Sequence, residues 1–414
     1  ENIISNNTVE YNPNGIYLKS SQNNTIFENE LNHNFYAITL ENSSENIISN
    51  NTIDSNYYEN YLTAVGIYLK TSINNTILEN DIHYYSNANV EMPSNFSAIF
   101  LDNSAENRIL RNIVGSYATG IYLESSINNT VDENQINGCV SGIALNASSE
   151  NIMSWNTVEG NNNGIYLVNS THNTINENQV DHNTNGMLIE GSSENIILEN
   201  IIEGNTNGIY LVCSINNTVT NNNINTNQRG LYIFNSSLNT IFENNITNIL
   251  YHLSGVWSES VYGILLTEAS ENRILSNNIN FVIRNNIQNY IYVSTFFDNY
   301  YYGIFLDNST NNNLENNSII IHTLNSKYIY YDPYYLERVF FNLHNYGIFL
   351  DDSTNNSIND NSIDINTENT GMANVSGLFI NLCHYGVYLD NSANNFFDSN
   401  NIAMSISNAF DDDV

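Results

Sequence analysis

Asn129-Thr130-Val131-Asp132-Glu133-Asn134-Gln135-Ile136, followed after five intervening residues by Gly142-Ile143-Ala144-Leu145, is the stretch that decides the fold. The same pattern recurs along almost the whole chain. With the glycine or alanine of each Gly-Ile-Tyr-Leu-like tetrapeptide as position 0, units start at Gly15, Ala37, Gly66, Ala98, Gly120, Gly142, Gly164, Gly186, Gly208, Gly230, Gly263, Gly303, Gly347 and Gly386. The six steps from Ala98 to Gly230 are 22 residues each. Positions +1, +3, +11 and +16 are apolar in all 14 units, +9 and +14 are Asn in all 14, and +6 is Ser in 13, with Ala269 the exception. A repeat this short is one supersecondary coil that buries a core only by stacking on its neighbours.

The apolar spacing chooses among coils. Ile16 and Leu18 are two apart, as on one face of a strand. The inward set then steps by three through Ser21 to Asn24, alternates to Ile26, steps by three to Asn29 and alternates to Leu31. This predicts three short strands joined by corners, not a 3.6-residue helical period. A leucine-rich repeat would carry more leucines and a helical return.

Inward amides need partners, because a buried unpaired amide is costly. Stacked coils supply them: at ~4.8 Å spacing equivalent side chains lie one above another. Two structural ladders are therefore expected. One runs through Asn107, Asn129, Asn151, Asn173, Asn195, Asn217 and Asn239, the other through Asn112, Asn134, Asn156, Asn178, Asn200, Asn222 and Asn244. Asn161 falls outside both and reads as a loop residue.

These repeats resemble the parallel β-helix repeat of NosD-like proteins, a repeat shared with archaeal cell-surface proteins of the surface-layer or sheath type. The resemblance covers essentially the full chain. It implies an all-β, right-handed parallel β-helix solenoid of about 14 coils with Tyr-rich loop insertions at one corner. Such coils carry lyases, hydrolases, epimerases, tailspikes and passive surface proteins alike, so the repeat leaves function open. The association of the NosD-like label with copper makes the eight histidines worth weighing. Only Cys383, His384 and His344, one coil apart, come close enough in the repeat to converge.

Composition narrows the partners. Lys plus Arg number 9 against 43 acidic residues, a net charge of −34 in 414 residues. Charge repulsion disfavours nucleic acid, anionic membranes, and polyuronates unless Ca²⁺ bridges them. The chain has no apolar run long enough to span a membrane. Its three cysteines occupy different repeat positions and form no disulfide framework. The unbroken register predicts one β-helix domain over 1–410, with short-loop coils over 98–246, long-loop coils over 247–402 and an acidic tail at 411–414. The first residues fall in mid-repeat, and neither end shows a capping element.

The insertions all fall between the third strand and the next position 0, where steps of 29 to 44 residues replace 22. Tyr57-Tyr58, Tyr84-Tyr85, Tyr300-Tyr301-Tyr302, Tyr328 to Tyr335 and Val339-Phe340-Phe341 make them unusually aromatic. Beside them runs position +2, aromatic in ten of 14 units: Tyr17, Tyr68, Phe100, Tyr122, Tyr166, Tyr210, Tyr232, Phe305, Phe349 and Tyr388. An outward stripe of this length is an outsized apolar patch. It calls for covering loops, a second chain, or sugars stacked on it.

No catalytic constellation is expected. The Gly-His-Gly and Arg-x-Lys of polygalacturonases are missing, and Asp332-Pro333-Tyr334-Tyr335 is a faint echo of the epimerase Asp-Pro-His-Asp. Ca²⁺ is the one cofactor the residues suggest, on the column Asp307, Asp351 and Asp390. Sixteen Asn-x-Ser/Thr sequons permit glycosylation, among them Asn6, Asn23, Asn42, Asn74, Asn128, Asn146, Asn169, Asn216, Asn235, Asn308 and Asn374. A chain with 88 asparagines produces about that many by composition alone. The sequence reading is thus an extracellular structural protein that self-associates, end to end and laterally, into a surface layer, sheath or filament. A carbohydrate-binding or carbohydrate-processing surface protein is the alternative, and a NosD-like metal-handling factor the second alternative.

Overall fold

The coil is built as the spacing demands. In the repeat that starts at Gly120, Thr119–Glu124, Thr130–Asp132 and Gln135–Asn137 are strands. Each pairs in parallel with its equivalents one coil before and one coil after, in register with the repeat. Thr130–Asp132 lies between Arg108–Leu110 and Ile152–Ser154, and Gln135–Asn137 between Ile113–Gly115 and Thr157–Glu159. The protein is a parallel β-helix, and parallel crossovers of this kind close right-handed. The computed structural model describes residues 1–56, 64–85, 96–252, 256–287, 295–327, 339–370 and 378–409. Tyr57-Tyr58, Tyr328 to Tyr335, Asn374 and the acidic tail lie outside them.

The described residues form two compact units. Unit 1 comprises Glu1–Asn205 with Tyr210–Asn222, and unit 2 Thr206–Ile209 with Asn223–Val414. In unit 1 the inward apolar set is buried as expected: Ile121, Leu123, Val131 and Ile136 are at most 1% exposed. Each such side chain contributes about 1.5–3 kcal/mol by leaving water. Position 0 also points inward, and here the backbones approach closely. A Cβ on Gly120 would sit 2.5 Å from Ile136 Cγ2 and 2.6 Å from the carbonyl oxygen of Gly142, so in this coil any larger residue would have to displace its neighbours.

Four corner residues of this coil take a left-handed conformation: Ser125, Asn128, Glu133 and Gly138 have φ of 49°, 59°, 55° and 64°. Non-glycine residues rarely adopt it. Here the turned-out N–H of the non-glycine corners bonds the next coil, as Ser125 does to Asn146 O at 2.9 Å and Glu133 to Ser154 O at 3.1 Å. The two Asn columns hold the corners. The backbone N–H of Asn129 donates to Asn151 Oδ1 at 2.9 Å, and its side-chain amide donates to the same oxygen at 3.0 Å and to Ser104 O at 3.0 Å. The Ser column repeats the device: Ser126 N–H donates to Ser148 Oγ at 3.0 Å.

Asn161 corrects the sequence reading. It is 4% exposed, and its N–H and side-chain amide donate to Asn183 Oδ1 at 2.8 and 2.9 Å. Asn183 N–H continues to Asn205 Oδ1 at 2.8 Å, so a third ladder fixes the fourth corner.

Unit 2 corrects the reading of the insertions as loops. Their described parts are strands. Asn278–Ile287, Ser318–Lys327 and Ser362–Thr370 pair in parallel, as do Thr295–Asp307, Val339–Asp351 and Leu378–Asp390. Consecutive coils carry long insertions, so each added strand finds a partner for its backbone groups. A further buried amide link follows: Asn285 donates to Asn325 at 2.7 Å and Asn325 to Asn369 at 2.9 Å.

Candidate functional site

On the outer face of unit 1, position +2 is flanked by positions −1 and +4. Positions +2 and +4 are two apart on the strand and share a face; positions 0 and +1 both turn inward, so −1 emerges on that face too, and all three columns line one groove. Among the described residues, rings of column +2 in the early coils cover one another. Tyr36, at position −1, stacks on Tyr68 with centroids 5.5 Å apart, Tyr68 on Phe100 at 5.1 Å, and Phe100 on Tyr122 at 5.0 Å. Tyr68, Phe100, Tyr122, Tyr166 and Tyr210 are half-buried, and Tyr17 is 45% exposed.

Each phenol end is held by position +4 of the next coil. Tyr68 donates to Asp102 at 2.9 Å, Tyr166 to Glu190 at 2.8 Å, and Tyr17 to Glu41, while Asn146 Nδ2 donates to the Tyr122 hydroxyl at 3.4 Å. Burial first, then the carboxylate that accepts its proton, pushes the Tyr166 phenol up to about 12, and burial raises Tyr122. These tyrosines therefore stay neutral across physiological pH.

The columns enclose an open groove of ≈ 530 Å³. Tyr68, Phe100, Tyr122 and Tyr166 form one wall, Ser97, Thr119 and Ser141 bring hydroxyls from position −1, and Glu124 and Asn146 stand at the edge. Ala144 interrupts the aromatic wall: it is in register with Tyr122 on one side and Tyr166 on the other. Among the described residues no Lys, Arg or His lines the groove.

Unit 2 carries a second aromatic surface. Tyr262, Tyr302, Tyr346 and Tyr385 stack at 5.0, 4.9 and 5.1 Å, and Phe349 stacks on Tyr388 at 5.0 Å beside Phe305. Tyr232 of the same unit lies under the Arg229 guanidinium, 5.7 Å from its ring centre. Asp307, Asp351 and Asp390 are in register with one another. Burial first, then repulsion from neighbouring carboxylates, raises the pKa of Asp307 and Asp351.

His344, Cys383 and His384 do not converge. His344 is in register with Cys383, and His384 with Asn345. Adjacent strand residues point to opposite faces. His344 stacks on Tyr300 at 4.5 Å, while His384 Nε2 lies 3.0 Å from Thr367 Oγ1, against the fully buried Asn345 and Thr367. Among the described residues no group of three or more His, Cys, Asp or Glu side chains is placed to hold a metal ion. Cys139, Cys213 and Cys383 are free thiols. Sequon residues Asn6, Asn23, Asn42, Asn74, Asn128, Asn169, Asn216, Asn235 and Asn308 are exposed at left-handed corners, whereas Asn146 is half-buried in the groove.

Fold and groove together define a parallel β-helix protein whose coils present a walled aromatic cleft. The chain belongs to the NosD family, described as periplasmic copper-binding protein, whose model matches residues 1–137 and 112–280. The copper in that description finds no matching set of ligands among the described residues. No curated protein matches the chain. Solved structures of similar fold include a DFA-IIIase from Arthrobacter chlorophenolicus A6 in complex with GF2, with TM-score 0.44 and 13% identity over 66% of each chain. This chain thus spans just under two thirds of that enzyme's length. The periplasmic alginate epimerase AlgG has TM-score 0.41 and 14% identity over 92% of this chain and 77% of its own. The mannuronan C-5 epimerase AlgE4 A-module of Azotobacter vinelandii has TM-score 0.48 and 15% identity over 76% of this chain and 86% of its own. At these identities the likeness is one of fold.

Proposed function

We propose that this protein binds glycan chains in the groove of unit 1, in the cell envelope or outside the cell. One observation carries the reading: an aromatic wall, a column of hydroxyls and an edge of carboxylate and amide groups face one open cleft. A concave site that sets aromatic side chains beside convergent polar groups is what small-molecule recognition uses. Aromatic faces meet the C–H faces of sugars, and the polar edge takes their hydroxyls. The family's periplasmic description and the exposed sequons support the location.

The assembling role that the sequence placed first needs the stripe to gain its burial from another chain. The rings already gain much of it from each other, and their hydroxyls already have partners in the next coil. Affinity electrophoresis of the full chain through gels containing soluble polysaccharides tests the proposal. Retardation by at least one glycan is expected, and its loss in Tyr68→Ser/Tyr122→Ser. No retardation by any neutral, amino-bearing or acidic glycan overturns it.

A further inference from the structure

We infer that the break in the aromatic wall at Ala144 is a slot for one saturated sugar ring, and that the ring it takes is neutral or amino-bearing rather than a uronate. This rests on the glycan-binding reading of the groove. Upstream of the break the wall is closed, because ring centroids 5.0–5.5 Å apart leave no room for a guest. Tyr122, Ala144 and Tyr166 are successive members of the same column, in register. At ~4.8 Å per coil, Tyr122 and Tyr166 stand about 9.6 Å apart. Only a methyl group lies between them, and Ala144 is 6% exposed.

The Tyr122 ring stays stacked on Phe100, 5.0 Å away, with its hydroxyl accepting from Asn146 Nδ2 of the Ala144 coil. The Tyr166 hydroxyl donates to Glu190 in the coil beyond, so collapse of Tyr166 into the gap would break its bond. Carbon contact at ~3.5–4.0 Å on each side takes up about 7–8 Å of the width. About 2 Å remains for the thickness of the guest. A planar aromatic is a single layer and leaves that space empty. A pyranose chair, with carbons in two layers and C–H bonds on both faces, fills more of it.

The rim settles the charge. Glu124 stands beside the slot, in register with Asn146, and Ser141 and Thr119 supply hydroxyls. With no cation in the lining, a uronate carboxylate would face Glu124 uncompensated, whereas an ammonium would be attracted to it.

The test is Ala144→Tyr, measured in the full chain against matched neutral, amino-bearing and uronate oligosaccharides by calorimetry or tyrosine fluorescence. Tyrosine already occupies this column at 122 and 166, so the fold accepts it, which circular dichroism verifies. The variant extends the wall but fills the slot. The parent is expected to bind the neutral and amino-bearing chains and not the uronate, with salt weakening the amino-bearing chain more than the neutral one. Ala144→Tyr is expected to lose at least about tenfold in affinity. If the parent binds glycans and Ala144→Tyr binds them equally or better, the groove is a flat platform and the slot is wrong. Tight uronate binding by the parent overturns the charge assignment. Binding of no glycan by either protein overturns the groove reading itself.

Discussion

Asn173 and Asn195 stand one coil apart, and a single oxygen joins them: Asn195 Oδ1 accepts from both the backbone N–H of Asn173, at 2.9 Å, and its side-chain amide, at 3.0 Å. Leucine at 173 would remove the Oδ1 that accepts both the backbone N–H and the side-chain amide of Asn151, and the amide that Asn195 Oδ1 accepts. Asn173→Leu is expected to cost ~1–3 kcal/mol, measured by denaturant unfolding. Asn161→Leu is expected to cost a similar amount, because the third ladder uses the same geometry. Asn162→Leu, at an exposed neighbour, should change stability by no more than about 0.5 kcal/mol.

Asp351 is pushed up by burial and then by Asp352 and Asp390. Its folded pKa lies above the unfolded value, so ionisation works against the fold. The penalty is present above the folded pKa and vanishes as pH falls below the unfolded value near ~3.9. Asp351→Asn should therefore melt higher than the parent at pH 7, and the gap should close on acidification. The same pair reports on calcium. An ion held by Asp307, Asp351 and Asp390 would raise the melting temperature of the parent and not of the variant.

His384 moves the other way. Burial lowers its pKa, so the fold favours the neutral ring. Stability is intact above the ordinary histidine value of ~6.5 and is lost as pH falls from there through the folded pKa. His384→Asn places at this position the residue that Asn345 already is one coil earlier. Thermal melts from pH 7.5 to pH 5 should show a smaller acid loss in the variant than in the parent.

The quadruple substitution of Tyr122, Tyr166, Tyr210 and Tyr232 by serine separates binding from assembly. Column +2 lies outside the coil core, so the circular dichroism of the parallel strands should persist. Glycan retardation should disappear, and particle size by light scattering should match that of the parent. A large parent assembly that the quadruple variant dissolves would return the aromatic stripe to the role of a seam between chains.

The coil was legible because its period is. Each apolar or amide position does the same job in every turn, so Ile121, Val131 and Asn129 announce themselves by repetition. The third ladder escaped because its column is impure: Tyr117 and Cys139 stand where Asn161, Asn183 and Asn205 stand in later coils. The left-handed corners escaped because Glu133 and Ser125 are not residue types that advertise positive φ. Unit 2 misled for a different reason. Insertions long enough to be loops became strands only because neighbouring coils carry them too, and pairing between coils is invisible in any one of them. His384 misled by adjacency, since a strand sends neighbours in the chain to opposite faces. In the groove, the aromatic column was plain, but the break at Ala144 carries no signal in the repeat.

The ladder's regular step has a further consequence, for heredity. Deleting residues 120–141 would bring Gly142 onto Ala98 and Asn151 onto Asn107, the same partners one register on, with every corner bond of that region available to be remade. In the short coils of unit 1, the gain or loss of one 66-base-pair segment by misaligned recombination is a structurally silent event. The number of turns can drift while each turn stays under selection. The long coils of unit 2 lack this freedom: their steps, from Gly230 to Gly386, run from 33 to 44 residues, so the gain or loss of 22 residues there would break the register between strands. Lineages should therefore vary in coil number within the first region and keep the second as an indivisible block.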